Sequence, residues 1–261
     1  MSIRPIFVVA GVGNGSGTGA ATARLFAKVG YNVALIARGA APLNTLVDEI
    51  KSTGGEAGAF PLDSVSESGS YTPSSLQNTF AAIKSRWPTS PLRVALFNAG
   101  HNVRKPFLDL TPEEIQTSMD TNIIAAFAFA RQAILAFKEL DIEEGGKGKR
   151  GTLLFTGATA SLRGNTTTSA FAASKFGIRA LAQSLAKEFG KENIHVRPIS
   201  RSSMEEFAPA RLNLTCRKTG SMIRIFCLNL KILRKHICIW STKTDPLGLG
   251  NSTSVRRTRS G

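Results

Sequence analysis

Apolar and polar positions alternate in blocks along the first three quarters of the chain. A short apolar run over Phe7–Val12 reads as a buried strand, and a glycine-dense turn follows it. The next segment has helical spacing with Leu25 and Phe26 on its apolar face, and Gly30 ends it. A second apolar run, Val33–Ala37, reads as the next strand. The pattern then predicts a helix over 42–53 closed by Gly54-Gly55, a strand over 57–62 and a helix over 73–86 closed by Trp87-Pro88. A strand over 92–97 comes next. Thr111-Pro112-Glu113-Glu114 carries the signal of a helix start, with Thr at the N-cap and Pro first inside, and this helix is expected to run to about Glu139. A polar loop covers 143–150, a fifth strand Thr152–Thr156, a helix Ser169–Phe189, and a sixth strand begins at Ile194–Val196. The Thr166-Thr167-Thr168 run before the last helix is expected to cap it.

Near-continuous apolar strands separated by amphipathic helices imply a parallel sheet covered on both faces. Right-handed crossovers then give an α/β, doubly wound Rossmann fold, whose ligands lie beyond the carboxyl ends of the strands. The glycine turn, Arg38, Asp63, Asn98 and the segment after the fifth strand all fall at that edge. Strand, glycine turn, helix and strand in succession suit a dinucleotide. The backbone turns tightly, approaches the pyrophosphate, and presents the free N–H groups of a helix start to the anion. A lone glycine pattern also describes a flexible loop, and only the strand and helix context favours the nucleotide.

Composition changes near position 197. The 261-residue chain has a formal net charge of +15, but residues 197–261 carry 13 of the 33 Lys and Arg and 3 of the 18 Asp and Glu. That tail holds +10, and the body over 1–196 holds +5, an ordinary mildly basic balance. The net charge is therefore no argument for a nucleic-acid partner. All three cysteines, Cys216, Cys227 and Cys238, lie in the tail at a spacing that fits neither a zinc site nor a disulfide framework. No apolar run is long enough to span a bilayer, and the N-terminus lacks the form of a secretory signal, so a cytoplasmic protein without a membrane partner is expected.

Taken together, the motifs resemble those of the short-chain dehydrogenase/reductase family over residues 5–196. The family's TGxxxGxG motif matches Val12-Gly13 through Gly17-Thr18-Gly19, a register that places the helix-ending glycine at Gly30. Its adenine-contacting Asp matches Asp63, and its NNAG motif matches Phe97-Asn98-Ala99-Gly100. The tetrad Asn matches Asn122, and the YxxxK segment matches Phe171 through Lys175. The resemblance implies hydride transfer between a nicotinamide cofactor and a carbonyl or alcohol carbon of a small metabolite. In that scheme a Tyr exchanges the proton, a Ser holds the substrate oxygen, an Asn supports a relay water, and a Lys binds the nicotinamide ribose. It also implies pairing into a homodimer or homotetramer through the helices at 112–139 and 169–189. An acidic residue at the end of the second strand would suit a ribose 2′-OH. This chain has Arg38, which pairs with a 2′-phosphate, so NADP(H) is expected rather than NAD(H).

Two of the four tetrad positions depart from the family. Phe171 stands at the Tyr position and Ala158 at the Ser position, leaving Asn122 and Lys175. Three readings stay open. Another donor acts, with Thr156, Thr159, Ser161 and His101 nearby; or the protein binds the dinucleotide without turnover; or Phe171 is a core aromatic in a helix that has lost function. Beyond Val196, Arg197-Pro198 is expected to interrupt the sixth strand, and 197–261 reads as a basic, atypical, poorly ordered tail. As written, residues 221–240 mix cations with apolar residues like an interfacial segment or a nucleic-acid arm. The sharper reading is a shifted frame. With suitable codons, Arg197 to Phe207 becomes AHFTLVDGGI, a string that resembles the family's expected sixth strand and D-G turn. Sequencing the transcript across codon 196 tests that reading.

Overall fold

The computed structural model describes residues 3–62, 70–142 and 149–199. Six strands alternate with helices: β1 (Ile6–Ala10), α1 (Thr18–Lys28), β2 (Asn32–Ala37), α2 (Ala40–Ser52), β3 (Glu56–Pro61), α3 (Pro73–Arg86) and β4 (Leu92–Phe97). Then come α4 (Pro112–Met119), α5 (Ala125–Lys138), β5 (Gly151–Thr156), α6 (Ser169–Phe189) and β6 (Ile194–Ile199). All strands pair in parallel in the order β3-β2-β1-β4-β5-β6. The order reverses between β1 and β4, and a crevice opens there because the chain connections on its two sides depart in opposite directions. This is the doubly wound Rossmann arrangement.

Period-two alternation along the central strands divides the core. Phe7 and Val9 of β1 and Val33 and Leu35 of β2 pack with α1 and α2 on one face. Ile6, Val8 and Ala10 join Phe97, Phe129, Phe137 and Phe155 beneath α3, α5 and α6 on the other. Both faces are covered, so the strand residues are buried without polar relief, as their unbroken apolar runs require. Phe7 stacks on Phe26 of α1 at 4.0 Å between ring centroids, which fixes the first crossover against the sheet. Leu25 is only half-buried, and Phe26 carries that face together with Ala20, Ala23 and Ala27.

Local signals set the helix ends. Thr111 accepts from the Glu114 N–H while Glu114 returns a bond to the Thr111 N–H, a reciprocal cap with Pro112 at the first helical position. Thr72 and Ser75 form the same box at the start of α3. The expected cap at Thr168 takes a different form. Its hydroxyl donates to the Asn165 carbonyl at 2.8 Å and accepts from the Asn165 N–H, closing the preceding turn instead of the helix. The sixth strand is not interrupted at Arg197-Pro198. β6 continues to Ile199, with Pro198 opposite Phe155. A parallel edge strand tolerates Pro where its missing N–H would have pointed away from the neighbour. The sheet therefore passes the expected boundary at 196 by three residues, and the tail from 200 to 261 lies outside the described residues. No helix among the described residues is long and apolar enough to cross a membrane.

Candidate functional site

The carboxyl ends of β1, β2 and β4 meet at one edge of the sheet, over a cleft of about 470 Å³. Gly11 follows β1 at φ +93°, and its N–H donates to the Ile36 carbonyl at 2.9 Å. A Cβ there would collide with the Ala99 nitrogen and lie 2.6 Å from the Ala99 Cα and 2.8 Å from the Asn98 carbonyl carbon. One turn later, a Cβ on Gly19 would strike the Gly11 carbonyl oxygen. These two glycines let the first turn of α1 press against the ends of β1 and β4. Gly13 also has positive φ, +60°, but a Cβ there meets nothing within 4 Å, and the same open space surrounds Gly17. Thus Gly11, which sequence reasoning passed over in favour of Gly13, is where the backbones converge. Its signal was its place as the first glycine of the stretch, directly after Phe7–Ala10.

Gly17 caps α1 without a side-chain bond, Thr18 is the first helical residue, and the first turn holds no acidic side chain. The unpaired N–H groups of that turn favour an anion. At the tip of β2, Arg38 is exposed, and among the described residues lining the cleft it is the only Arg, Lys, Asp or Glu. Tyr71 forms part of the cleft wall beneath it. Its ring meets Phe97 edge-on at 6.4 Å, its hydroxyl lies 3.5 Å from the Ile36 carbonyl, and burial raises its pKa so that it stays neutral. Asp63 lies outside the described residues.

Asn98 ties three strand ends together. Its Nδ2 donates to the Gly11 carbonyl at 2.6 Å, and its Oδ1 accepts from the Thr156 hydroxyl at 2.8 Å. Ala99 is buried, and Gly100 and His101 line the cleft beyond it. A Cβ on Gly100 would stand 3.3 Å from the Asn122 Oδ1 and 3.5 Å from the Lys175 Nζ. The structure therefore brings Gly100, Asn122 and Lys175 together.

Asn122 sits in a π-helical turn, Asp120–Ile124, inserted between α4 and α5. The helix expected from 112 to about 139 is thus continuous in path but widened at its middle. The side chain of Asn122 is fully buried and clamps the His101 backbone: Oδ1 accepts from the His101 N–H at 3.1 Å, and Nδ2 donates to the His101 carbonyl at 2.8 Å. A further Nδ2 bond reaches the Ser118 Oγ at 3.2 Å. α6 crosses this bulge closely, because Gly177 leaves room for Ile123. Lys175 rises from α6 into the same interior. It is 5% exposed, its Nζ donates to the Thr156 carbonyl at 3.0 Å, and it lies 5.8 Å from the centre of the Phe171 ring. Burial pulls its pKa down to about 8.

Two hydroxyls near this point hold partners. The Thr156 hydroxyl is bound to Asn98, and Ser161 Oγ accepts from the Ala158 N–H at 3.0 Å. Thr159 is exposed on the 3-10 turn Thr159–Ser161 that follows Ala158. Phe171 is half-buried and offers no proton.

A family model described as short chain dehydrogenase matches residues 7–207. The chain belongs to the short-chain dehydrogenase family. Among relatives of the short-chain dehydrogenase, a 3-oxoacyl-[acyl-carrier-protein] reductase of Bos taurus is 27% identical over 193 residues, covering 74% of this chain and 73% of that one. The 3-dehydrosphinganine reductase TSC10B of Arabidopsis thaliana is 27% identical over 197 residues, or 75% of this chain and 54% of its own length. Among solved structures, a short-chain dehydrogenase from Rhodopseudomonas palustris superposes with a TM-score of 0.63 at 31% identity, covering 75% of this chain and 84% of that one. The short-chain dehydrogenases are oxidoreductases that bind a nicotinamide dinucleotide, and the glycine turn, the free helix start and the cleft fit such a group.

Proposed function

We propose that the chain is an NADP(H)-dependent oxidoreductase that interconverts a carbonyl and an alcohol of a small metabolite. The observation that carries the cofactor preference is Arg38 at the tip of β2, with no carboxylate among the described residues lining the cleft. A guanidinium there matches a 2′-phosphate by charge and by paired hydrogen bonds. Gly13, Gly17, Thr18 and Gly19 with the start of α1 hold the pyrophosphate, and Asn98, Ala99 and Gly100 hold the nicotinamide half. Asp63 is assigned to the adenine. A bound nicotinamide supplies the reaction's electron pair as hydride. Asn122 and Lys175 act in the reaction, Asn122 by fixing the His101 backbone and Lys175 by facing the ribose. Ala158 and Phe171 occupy the Ser and Tyr positions without supplying those groups. The reading extends to a cytoplasmic homodimer or homotetramer, on the family resemblance.

The names of the relatives support a ketone as the substrate class, because each names a reductase of an oxo or dehydro compound. A second reading has its own observation. Phe171 and Ala158 remove two proton-handling side chains, which suits a relative that binds the dinucleotide with little turnover. Fluorescence titration with NADPH and NADH, followed by loss of NADPH absorbance over a ketone panel, tests both. NADPH bound at least tenfold more tightly than NADH, a preference removed by Arg38→Ala, is expected. Equal affinities would end the NADP(H) assignment, and tight binding without oxidation would favour the second reading.

A further inference from the structure

With Phe171 at the tyrosine position, reduction of a carbonyl needs another source for the proton on oxygen. Three polar side chains around it already hold partners. Thr156 donates to Asn98, Ser161 Oγ is engaged by the Ala158 N–H, and the Asn122 amide is taken up by His101 and Ser118. A cationic acid stands where Gly100, Asn122 and Phe171 converge. The Lys175 Nζ has three N–H bonds, of which the Thr156 carbonyl takes one. Another side of the ammonium faces Gly100, whose missing side chain leaves it a path toward the cleft.

We propose that Lys175 is the acid of the reaction: its ammonium, in place of a hydroxyl at position 171, protonates the substrate oxygen. This rests on the reading of the chain as an NADP(H)-dependent carbonyl reductase. In the step, hydride from a bound reduced dinucleotide, whose C–H bond breaks, would form the C–H bond at the carbonyl carbon. The carbonyl π pair moves to oxygen. One N–H bond of Lys175 breaks as the O–H bond forms, and the neutral amine regains its proton from water. The carbonyl is reduced and the dinucleotide oxidised.

The surroundings suit an acid that titrates near neutral pH. The depressed pKa of Lys175 comes from burial alone. Ionisable side chains around α6 are His101 beside Gly100, Asp120 on the π turn, Glu113 and Glu114 on α4, Lys191 and Glu192 on the 3-10 turn Gly190–Glu192, and His195 and Arg197 on β6. On α6 itself are Arg179, Lys187 and Glu188. Asp120 accepts from Gln116, Glu114 pairs with Lys105, and the Arg179 guanidinium points to the Ser161 carbonyl. An acid ionising near the working pH combines a large protonated fraction with a strong driving force for transfer.

The test combines NADPH binding, turnover and a direct titration on the full chain. Lysines are 13C-methylated, and Lys175→Arg identifies the Lys175 resonance. The expected result is titration of Lys175 near pH 8, with kcat for reduction of 2,3-hexanedione falling tenfold per pH unit above the same value. Lys175→Arg keeps the cation, so it is expected to hold NADPH within about threefold while kcat falls by ~10²–10⁴-fold. Phe171→Tyr supplies a hydroxyl and is expected to move the falling limb away from pH 8. The inference is overturned by Lys175 ionising near the ordinary ~10.4, by Lys175→Arg turning over within tenfold of wild type, or by bound NADPH that no ketone oxidises. Failure of the wild-type chain to bind NADPH would instead remove the proposed function beneath it.

Discussion

Asn98→Ala removes the side chain that joins three neighbouring strand ends. Two hydrogen bonds go with it, the 2.6 Å bond to the Gly11 carbonyl and the 2.8 Å bond from Thr156. Each is worth about 1 kcal/mol net in a partly buried setting, so the variant is expected to be destabilised by about 2 kcal/mol. For a domain of this size that lowers Tm by roughly 4–8 °C. Thr156→Val removes only one of the two bonds and is expected to cost about 1 kcal/mol. The double variant should then cost about 2 kcal/mol, not 3, because the shared bond is lost only once. Asn98→Asp sharpens the test. A carboxylate oxygen would face the Gly11 carbonyl oxygen where Nδ2 now donates, so at pH 7 this variant should be less stable than Asn98→Ala. Protonation restores a donor, so the folded state raises the pKa of that carboxyl. Its stability is present below the unfolded pKa and lost as pH rises through the folded one, so Asn98→Asp should approach wild type toward pH 4. Urea unfolding followed by circular dichroism gives all four values. Asn98→Ala within about 0.5 kcal/mol of wild type, or strict additivity with Thr156→Val, would refute this account of the strand ends.

Three further outcomes follow from single sites. Gly11→Ala forces a Cβ into the Ala99 backbone at positive φ and is expected to cost more than ~3 kcal/mol, whereas Gly17→Ala meets open space and should stay within about 0.5 kcal/mol; thermal unfolding separates them. Folding lowers the Lys175 pKa from 10.5 to about 8, so the folded chain binds fewer protons between those values. The resulting penalty is complete below pH 8 and lifts as pH rises, and Lys175→Met should therefore be about 3 kcal/mol more stable than wild type at pH 7. Burial, with Lys149 and Arg197 nearby, lowers the His195 pKa to about 4. Stability should fall as pH drops from 6.5 to 4, by about 1–2 kcal/mol after allowing for partial exposure, and His195→Gln should remove that part of the decline in an acid-unfolding series.

Much of the fold could be read in advance because its signals are local. The strand over Leu92–Phe97 and the helix over Ser169–Phe189 begin and end where their apolar periodicity does. The cap at Thr111–Glu114 follows from residue types three positions apart. Boundaries slipped where a tertiary neighbour intervened. β1 stops at Ala10 rather than Val12 because Gly11 turns toward β2 and the end of β4. β6 runs through Pro198 because the ladder with β5 continues on the side that Pro does not disturb.

The sequence by itself determined that the chain is a parallel α/β fold, with glycines, Arg38 and Asn98 at the ligand-bearing edge, since periodicity and turn chemistry act over a few residues. It also carries the motif resemblance on which the proposed placing of Phe171 and Ala158 rests. What it could not show is which groups meet. Only the packed sheet brings Gly11 against Ala99, 88 positions away, and joins Asn98 to Thr156. Only the π turn and the close crossing of α6 bury Lys175 beside Asn122 and Gly100. That burial withdraws water from the ammonium and moves its pKa, an effect that depends on surroundings assembled from four separate parts of the chain.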